Sequence, residues 1–219
     1  MLRRSLAILS VAAAALAAAV PALAVDVHVR VEGATRTIFG ATEPTLPVFT
    51  GPLAAADGSQ HDLSQPTALG ALESASVAGE FFYDVQSLAF GLFVDRIGRY
   101  VGTDQSGWAY KVNGVSPPVG AADYVLKDGD RVLWYWATFG AAGGPATLDV
   151  KPEGREEGRS CFRTVAYDDA GKAAAAAEVV FLVDGRRVRS SDGRICPAAS
   201  WHRLRATKAG AVRSAVLAR

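Results

Sequence analysis

An α+β domain followed by a small all-β sandwich is the fold that the sequence predicts, and three observations predict it. Residues 25–138 carry strand-like runs on either side of one capped helix. A glycine-rich stretch closed by proline, residues 139–146, interrupts the chain after them. Residues 147–219 then hold short apolar runs between Asp-Gly turns, a pattern of strands without helices.

The chain opens on an export signal. Arg3 and Arg4 give a positive start, Leu6 to Val20 is an unbroken apolar run, and Ala22-Leu23-Ala24 has the small-x-small pattern of a cleavage site. Residues 1–24 therefore read as a cleavable signal peptide. A run of about 15 residues is short for a bilayer span, so a retained anchor is the lesser alternative. Arg3-Arg4 also admits a twin-arginine reading, which Ser5-Leu6-Ala7 fits poorly. No other apolar run has spanning length, no cysteine stands near the cleavage point, and residues 211–219 carry no sorting motif. The expected product is free in a periplasm or outside the cell, not membrane-anchored.

Without the signal, 21 basic side chains face 22 acidic ones. Such a balance provides no overall field for nucleic acid. Cys161 and Cys196 are the only cysteines. An even pair in an exported chain reads as one disulfide, the alternative being two free buried thiols. His28, His61 and His202 are scattered, none at ligand spacing from a cysteine, so no metal site is predicted.

The first domain spans residues 25–138. Val25, Val27, Val29 and Val31 alternate with Asp26, His28, Arg30 and Glu32, the pattern of a half-buried strand, and Arg36 to Phe39 is its hairpin return. A loop with four prolines and an Asp57-Gly58 turn follows. Thr67 is the predicted cap of a helix bearing Leu69, Leu72 and Ala75 or Ser76, and Gly79 marks its end. Residues 81–85 and 89–94 are aromatic and branched, as strands prefer. Trp108 to Val112 alternates into Asn113-Gly114, a strong tight-turn signal. Tyr124-Val125-Leu126 leads to the turn Lys127-Asp128-Gly129-Asp130. Val132 to Trp136 is apolar on both faces, as in a central strand covered on both sides. The helix is expected on one face of a mixed sheet.

The linker, residues 139–146, separates halves of opposite charge. Residues 25–146 hold 13 acidic and 7 basic side chains, and residues 147–219 hold 9 and 14. Chance, docking of the acidic domain on the basic one, or an anionic wall or membrane facing the basic domain would each account for this. In residues 147–219 the turns fall at 169–171, Asp184-Gly185 and Asp192-Gly193. The alanine run 173–177 is too short to be independently helical. A disulfide between Cys161 and Cys196 would support a domain whose core alone is marginal.

Residues 107–114, followed by Gly120, Tyr124, 126–130 and Val132-Leu133-Trp134, resemble the transcobalamin-like C-terminal domain, which in bacteria is a β-grasp domain of secreted proteins. Glu32-Gly33, the helix at 67–73 and Ile97-Gly98 also fit, so the resemblance covers residues 25–138. Val183-Asp184-Gly185 and residues 204–210 resemble bacterial immunoglobulin-like modules. The resemblance implies an α+β β-grasp domain of the ligand-binding kind, then an immunoglobulin-like sandwich. In the vitamin carriers a helical domain completes the cobalamin site, and this chain has no room for one.

Three of the four tryptophans fall in two segments, with Trp108, Tyr110, Trp134, Tyr135 and Trp136 together. Aromatic faces with a polar edge suit flat ligands, sugars or protein partners; the competing reading is that these rings are core. Trp108, Tyr110, Tyr135 and Trp136 are the predicted ligand-binding residues. Trp108 is the first candidate for exposure, because it follows the Ser106-Gly107 loop. No nucleophile elbow or serine with a nearby histidine is present. Asp104, Asp123, Asp128 and Asp130 cluster in loops and admit a carboxylate pair or calcium site, but Asp128-Gly129-Asp130 reads as a solvated turn. The expected protein is a non-catalytic binding or adhesion module with no cofactor, meeting a small molecule or cell-surface partner through its aromatic strands. A carrier for a corrinoid-like molecule, acting with a separate partner, is the alternative, and an enzyme without recognised motif is the third. A concave aromatic pocket would favour a small-molecule carrier, and a flat patch adhesion.

Overall fold

The computed structural model describes residues 25–141 and 143–219. The predicted export signal lies outside them. Its first sheet is built on β1 (Asp26–Glu32), which pairs in parallel with β10 (Arg131–Thr138), placing Val31 opposite Trp134. Antiparallel neighbours of β1 are β2 (Thr37–Phe39) and β3 (Thr45–Pro47). On the far side of β10 lies β9 (Ser106–Val112), the terminal strand of the sheet, with Trp108 opposite Trp136.

The helix α1 (Ala68–Gly79) covers one face of this sheet. Thr67 accepts the Gly70 N–H at 3.2 Å, satisfying one of the free donors of the first turn. The left-handed cap falls on Glu80 (φ 50°), one residue beyond Gly79. Ala68, Leu69, Ala71, Leu72 and Ala75 pack into one core with Val27, Val29, Val31, Val132 and Trp134. Burying a leucine fully contributes about 1.5–3 kcal/mol. The approach is close: a Cβ on Gly70 would stand 2.2 Å from the Phe49 carbonyl oxygen, so no larger residue fits there.

The expectation of an α+β β-grasp is corrected by the rest of this half. The stretch read as a proline-rich loop forms β3 and a separate hairpin, β4 (Gly51–Ala54) with β5 (Gln60–Leu63), around the Asp57-Gly58 turn. The aromatic runs after the helix form β6 (Tyr83–Leu88), β7 (Gly91–Ile97) and β8 (Tyr100–Val101), which pair with one another in a sheet of their own. Short hairpin connections favour this local pairing over joining the larger sheet. One helix among so many strands makes the fold mostly β.

Residues 147–219 form two four-stranded sheets. The first contains β11 (Thr147–Glu156), β12 (Arg159–Tyr167), β13 (Ala173–Ala175) and β16 (Arg194–Ile195). The second is ordered β15 (Arg186–Ser190), β14 (Val179–Val183), β17 (Arg203–Thr207), β18 (Leu217–Ala218). Leu148, Val150 and Phe162 of the first share a core with Phe181, Leu204 and Ala206 of the second. The Cys161–Cys196 disulfide is formed. It ties β12 to the residue after β16.

The polar face of β1, expected to meet water, is buried over its second half, though Asp26 is exposed. Arg30 is 3% exposed and Glu32 1%. Residues from beyond position 200 cover them. The Glu32 carboxylate accepts from Arg30 at 3.1 Å, from Arg213 at 2.9 and 3.0 Å, from Thr37, and from Arg205. The Arg30 guanidinium also donates to the Arg213 carbonyl oxygen at 2.6 Å. Burial pushes the Arg205 guanidinium down, the neighbouring arginines adding to the effect although Glu32 opposes it. Beside this charged layer, Leu133, Tyr135 and Ala137 of β10 pack on Val212. Both faces of β10 are thus covered, one by α1 and the other by the C-terminal half.

Candidate functional site

The site is a cavity of about 380 Å³ at the free edge of β9. β9 has no strand partner on that side, and β7 of the neighbouring sheet supplies the facing wall with Leu92, Phe93 and Val94. Trp108 and Tyr110 from β9, Trp134 and Tyr135 from β10, and Phe90 and Phe139 from loops complete an aromatic lining. The residues 116–123 form the remaining polar and small-residue wall with Ser116, Gly120 and Asp123, and Asp169 enters from the C-terminal half.

The rings on β9 and β10 pack on one another. Tyr110 stacks on Trp134, with centroids 5.4 Å apart and planes at 29°. Its hydroxyl donates to the Val119 carbonyl oxygen at 2.8 Å. Burial, with Tyr124 and Asp123 nearby, pushes that hydroxyl up to about 12. Phe90 sits in the turn between β6 and β7, 77% exposed, edge-on to Phe93 at 6.4 Å.

The opposite side of β9 carries Lys111, whose side chain is fully buried. Its ammonium donates to the Asp168 carbonyl oxygen at 2.7 Å and lies 3.4 Å from the Asp169 carboxylate. Burial pushes this ammonium below its ordinary value despite Asp169. Burial alone would raise the Asp169 carboxyl, but the Gly144 N–H and Lys111 outweigh it and hold it low.

Of the four predicted ligand-binding residues, the structure brings Trp108, Tyr110 and Tyr135 to this cavity. Trp136 stands outside it, packed against Tyr100 and Trp108 with centroids 5.7 Å away from each. The exposure expected of Trp108 is corrected: it is 7% exposed. The strand already includes Ser106 and Gly107, so Trp108 is two residues inside it and not at its mouth. Its indole N–H donates to the Tyr100 carbonyl oxygen at 3.1 Å. Tyr135 is 1% exposed, its hydroxyl pushed up to about 12 by burial.

Sequence reasoning missed Phe90, Phe93, Phe139 and Asp169. A phenylalanine before glycine, as in Phe90-Gly91, is the signal that would have found the first had the run 89–94 been read as a turn into a strand, since a turn normally exposes its side chains.

A family model matches the segment that supplies this site. It is described as a domain of unknown function, DUF4430, and covers residues 66–138. No curated protein matches the chain. The matched residues run from just before α1 to the end of β10, and so contain every cavity residue except Phe139 and Asp169.

Two of the remaining candidates, Asp128 and Asp130, have structural roles. Asp128 accepts the Asp26 N–H at 3.1 Å, and Asp130 accepts from Asn113 and from the Lys127 N–H at 2.8 Å each. Glu156 groups with Cys161 and Cys196, but a bonded cystine offers no thiolate to a metal. Among the described residues, no helix is long and apolar enough to cross a membrane.

Proposed function

We propose that this protein is an exported, non-catalytic binding module whose aromatic cavity takes a small molecule with a flat apolar face. The observation that carries the reading is concavity. Ligand sites are typically clefts of ~300–1,000 Å³ with mainly apolar walls and a few fixed polar groups. The space beside β9 has that size and that lining. An adhesive patch would be flat, whereas Trp108, Trp134 and Tyr135 form a buried floor here.

The likeness of residues 107–134 to the transcobalamin-like C-terminal domain supports a small-molecule ligand over a macromolecular one. A corrinoid is much larger than this space and would lie across the mouth rather than inside. The disulfide fits an oxidising compartment and supports the export reading. The likeness of residues 147–219 to immunoglobulin-like modules supports a spacer role, with Asp169 closing one side of the cavity.

The test uses residues 25–219 and N-phenyl-1-naphthylamine, an uncharged flat probe that brightens in apolar surroundings. Saturable one-to-one brightening, weakened at least fivefold by Phe93→Ala, is the expected result. No brightening, or brightening unchanged by Phe93→Ala and Phe139→Ala alike, overturns the proposal. A thermal-shift screen against corrinoids, haem, glycans and cell-wall fragments then narrows the natural ligand.

A further inference from the structure

The polar groups of the cavity specify the charge of its ligand. They include two carboxylates, Asp123 and Asp169, and no lysine or arginine. Several of its side-chain donors are committed to protein acceptors, among them the indole N–H groups of Trp108 and Trp134. The Tyr110 hydroxyl donates to the carbonyl oxygens of Val119 and Gly120. Ser116 donates to the Asp169 carboxylate at 3.3 Å. An anionic ligand would therefore meet two carboxylates and no counter-charge in the lining.

The two carboxylates are not equivalent. Asp169 is balanced by Lys111 behind it and by the Gly144 N–H. Asp123 forms no ion pair among the described residues. The turn in which its N–H donates to the Gly120 carbonyl oxygen at 3.0 Å fixes its position. What remains available is one carboxylate beside a set of aromatic faces, whose quadrupoles attract positive charge.

We infer that the cavity selects an organic cation, a quaternary or alkylated ammonium group seated on the rings of Tyr110, Phe93 and Phe90 with Asp123 as its counter-charge. This rests on the small-molecule reading and names the ligand class of the same site. An exposed ring such as Phe90 at the mouth gains from covering a cation, because the methylated head is weakly hydrated and the ring face is left dry.

The test compares choline with its uncharged carbon isostere, 3,3-dimethylbutan-1-ol, which has the same shape without the charge. Trp108 and Trp134 line the cavity, so tryptophan fluorescence of residues 25–219 reports binding directly. Choline is expected to bind about tenfold more tightly than the isostere, and Asp123→Asn to remove most of that preference. Asp123 is exposed, so the variant should melt like the parent, which circular dichroism checks. Equal affinities, or a preference that survives Asp123→Asn in full, overturn the cation inference while leaving naphthylamine binding intact. If the naphthylamine and both probes give no signal, the small-molecule reading falls and this inference with it.

Discussion

The Glu32 carboxylate, on the first strand, accepts two hydrogen bonds from the guanidinium of Arg213, 181 residues further along the chain. Both groups are buried or nearly so, and the contact joins the outer face of β1 to the segment between β17 and β18. An ion pair of this kind is held by its surroundings. Breaking it leaves a charge with no water to receive it.

Glu32→Ala should therefore cost about 3–5 kcal/mol, because Arg30, Arg205 and Arg213 would face one another without their shared anion. Urea denaturation measures it. Glu157→Ala is the comparison: Glu157 pairs with Arg159 on the surface, and its loss should cost ~0–1 kcal/mol.

Lys111 makes stability depend on alkaline pH. Its ammonium is pushed below the ordinary 10.5 by burial, so between the folded value and 10.5 the unfolded chain holds a proton that the folded chain has released. Stability relative to Lys111→Met should rise with pH across that window, as the penalty of a buried charge is relieved. Melting both proteins from pH 7 to 10.5 tests it. A constant difference would show that Lys111 titrates alike in both states.

Trp108→Ala should be as damaging as Trp134→Ala, each costing about 3–5 kcal/mol through lost burial and a cavity. Both rings belong to the core around α1. A loss under ~1 kcal/mol for Trp108 alone would mark it as a surface residue after all.

Reducing the Cys161–Cys196 disulfide reopens a loop whose ends are 35 positions apart. The chain-entropy model assigns such a cross-link roughly 3–4 kcal/mol. Calorimetry with and without reductant should show a melting temperature lower by several degrees. Mass spectrometry of exported protein that found two free thiols would contradict the bond.

Exported protein is expected to begin at Val25, and N-terminal sequencing decides it. Material reading from Met1 would make residues 1–24 a retained segment.

Local chemistry made several elements legible in advance. Alternating valines gave β1, Thr67 gave the start of α1, and Asn113-Gly114 gave the end of β9, because each depends on neighbours in sequence. The sheet to which β6 and β7 belong was not legible, since strand propensity does not name a partner. The burial of Arg30 and Glu32 was hidden for a related reason. A polar residue on an alternating strand reads as solvent-facing unless its counter-charge, here on Arg205 and Arg213, is already known to fold over it. The aromatic strands were found, but Trp108 was judged by its distance from a loop, and burial is decided by what packs above it.

The parallel pairing of β1 with β10 sets an order of events. His28 is registered against Arg131, so the central pair of the sheet cannot form until the chain through β10 is present, and contacts so distant in sequence slow folding. The local pairing of β1 with β2 and β3 can form early, but the other edge of β1 waits for β10. A strand edge left without its partner is an open template for pairing with another chain, and this one stays open until the last strand of residues 25–138 is in place. Folding yield should therefore depend on what shields that edge of β1 before β10 arrives, a property of the unfinished molecule that no contact in the finished one records.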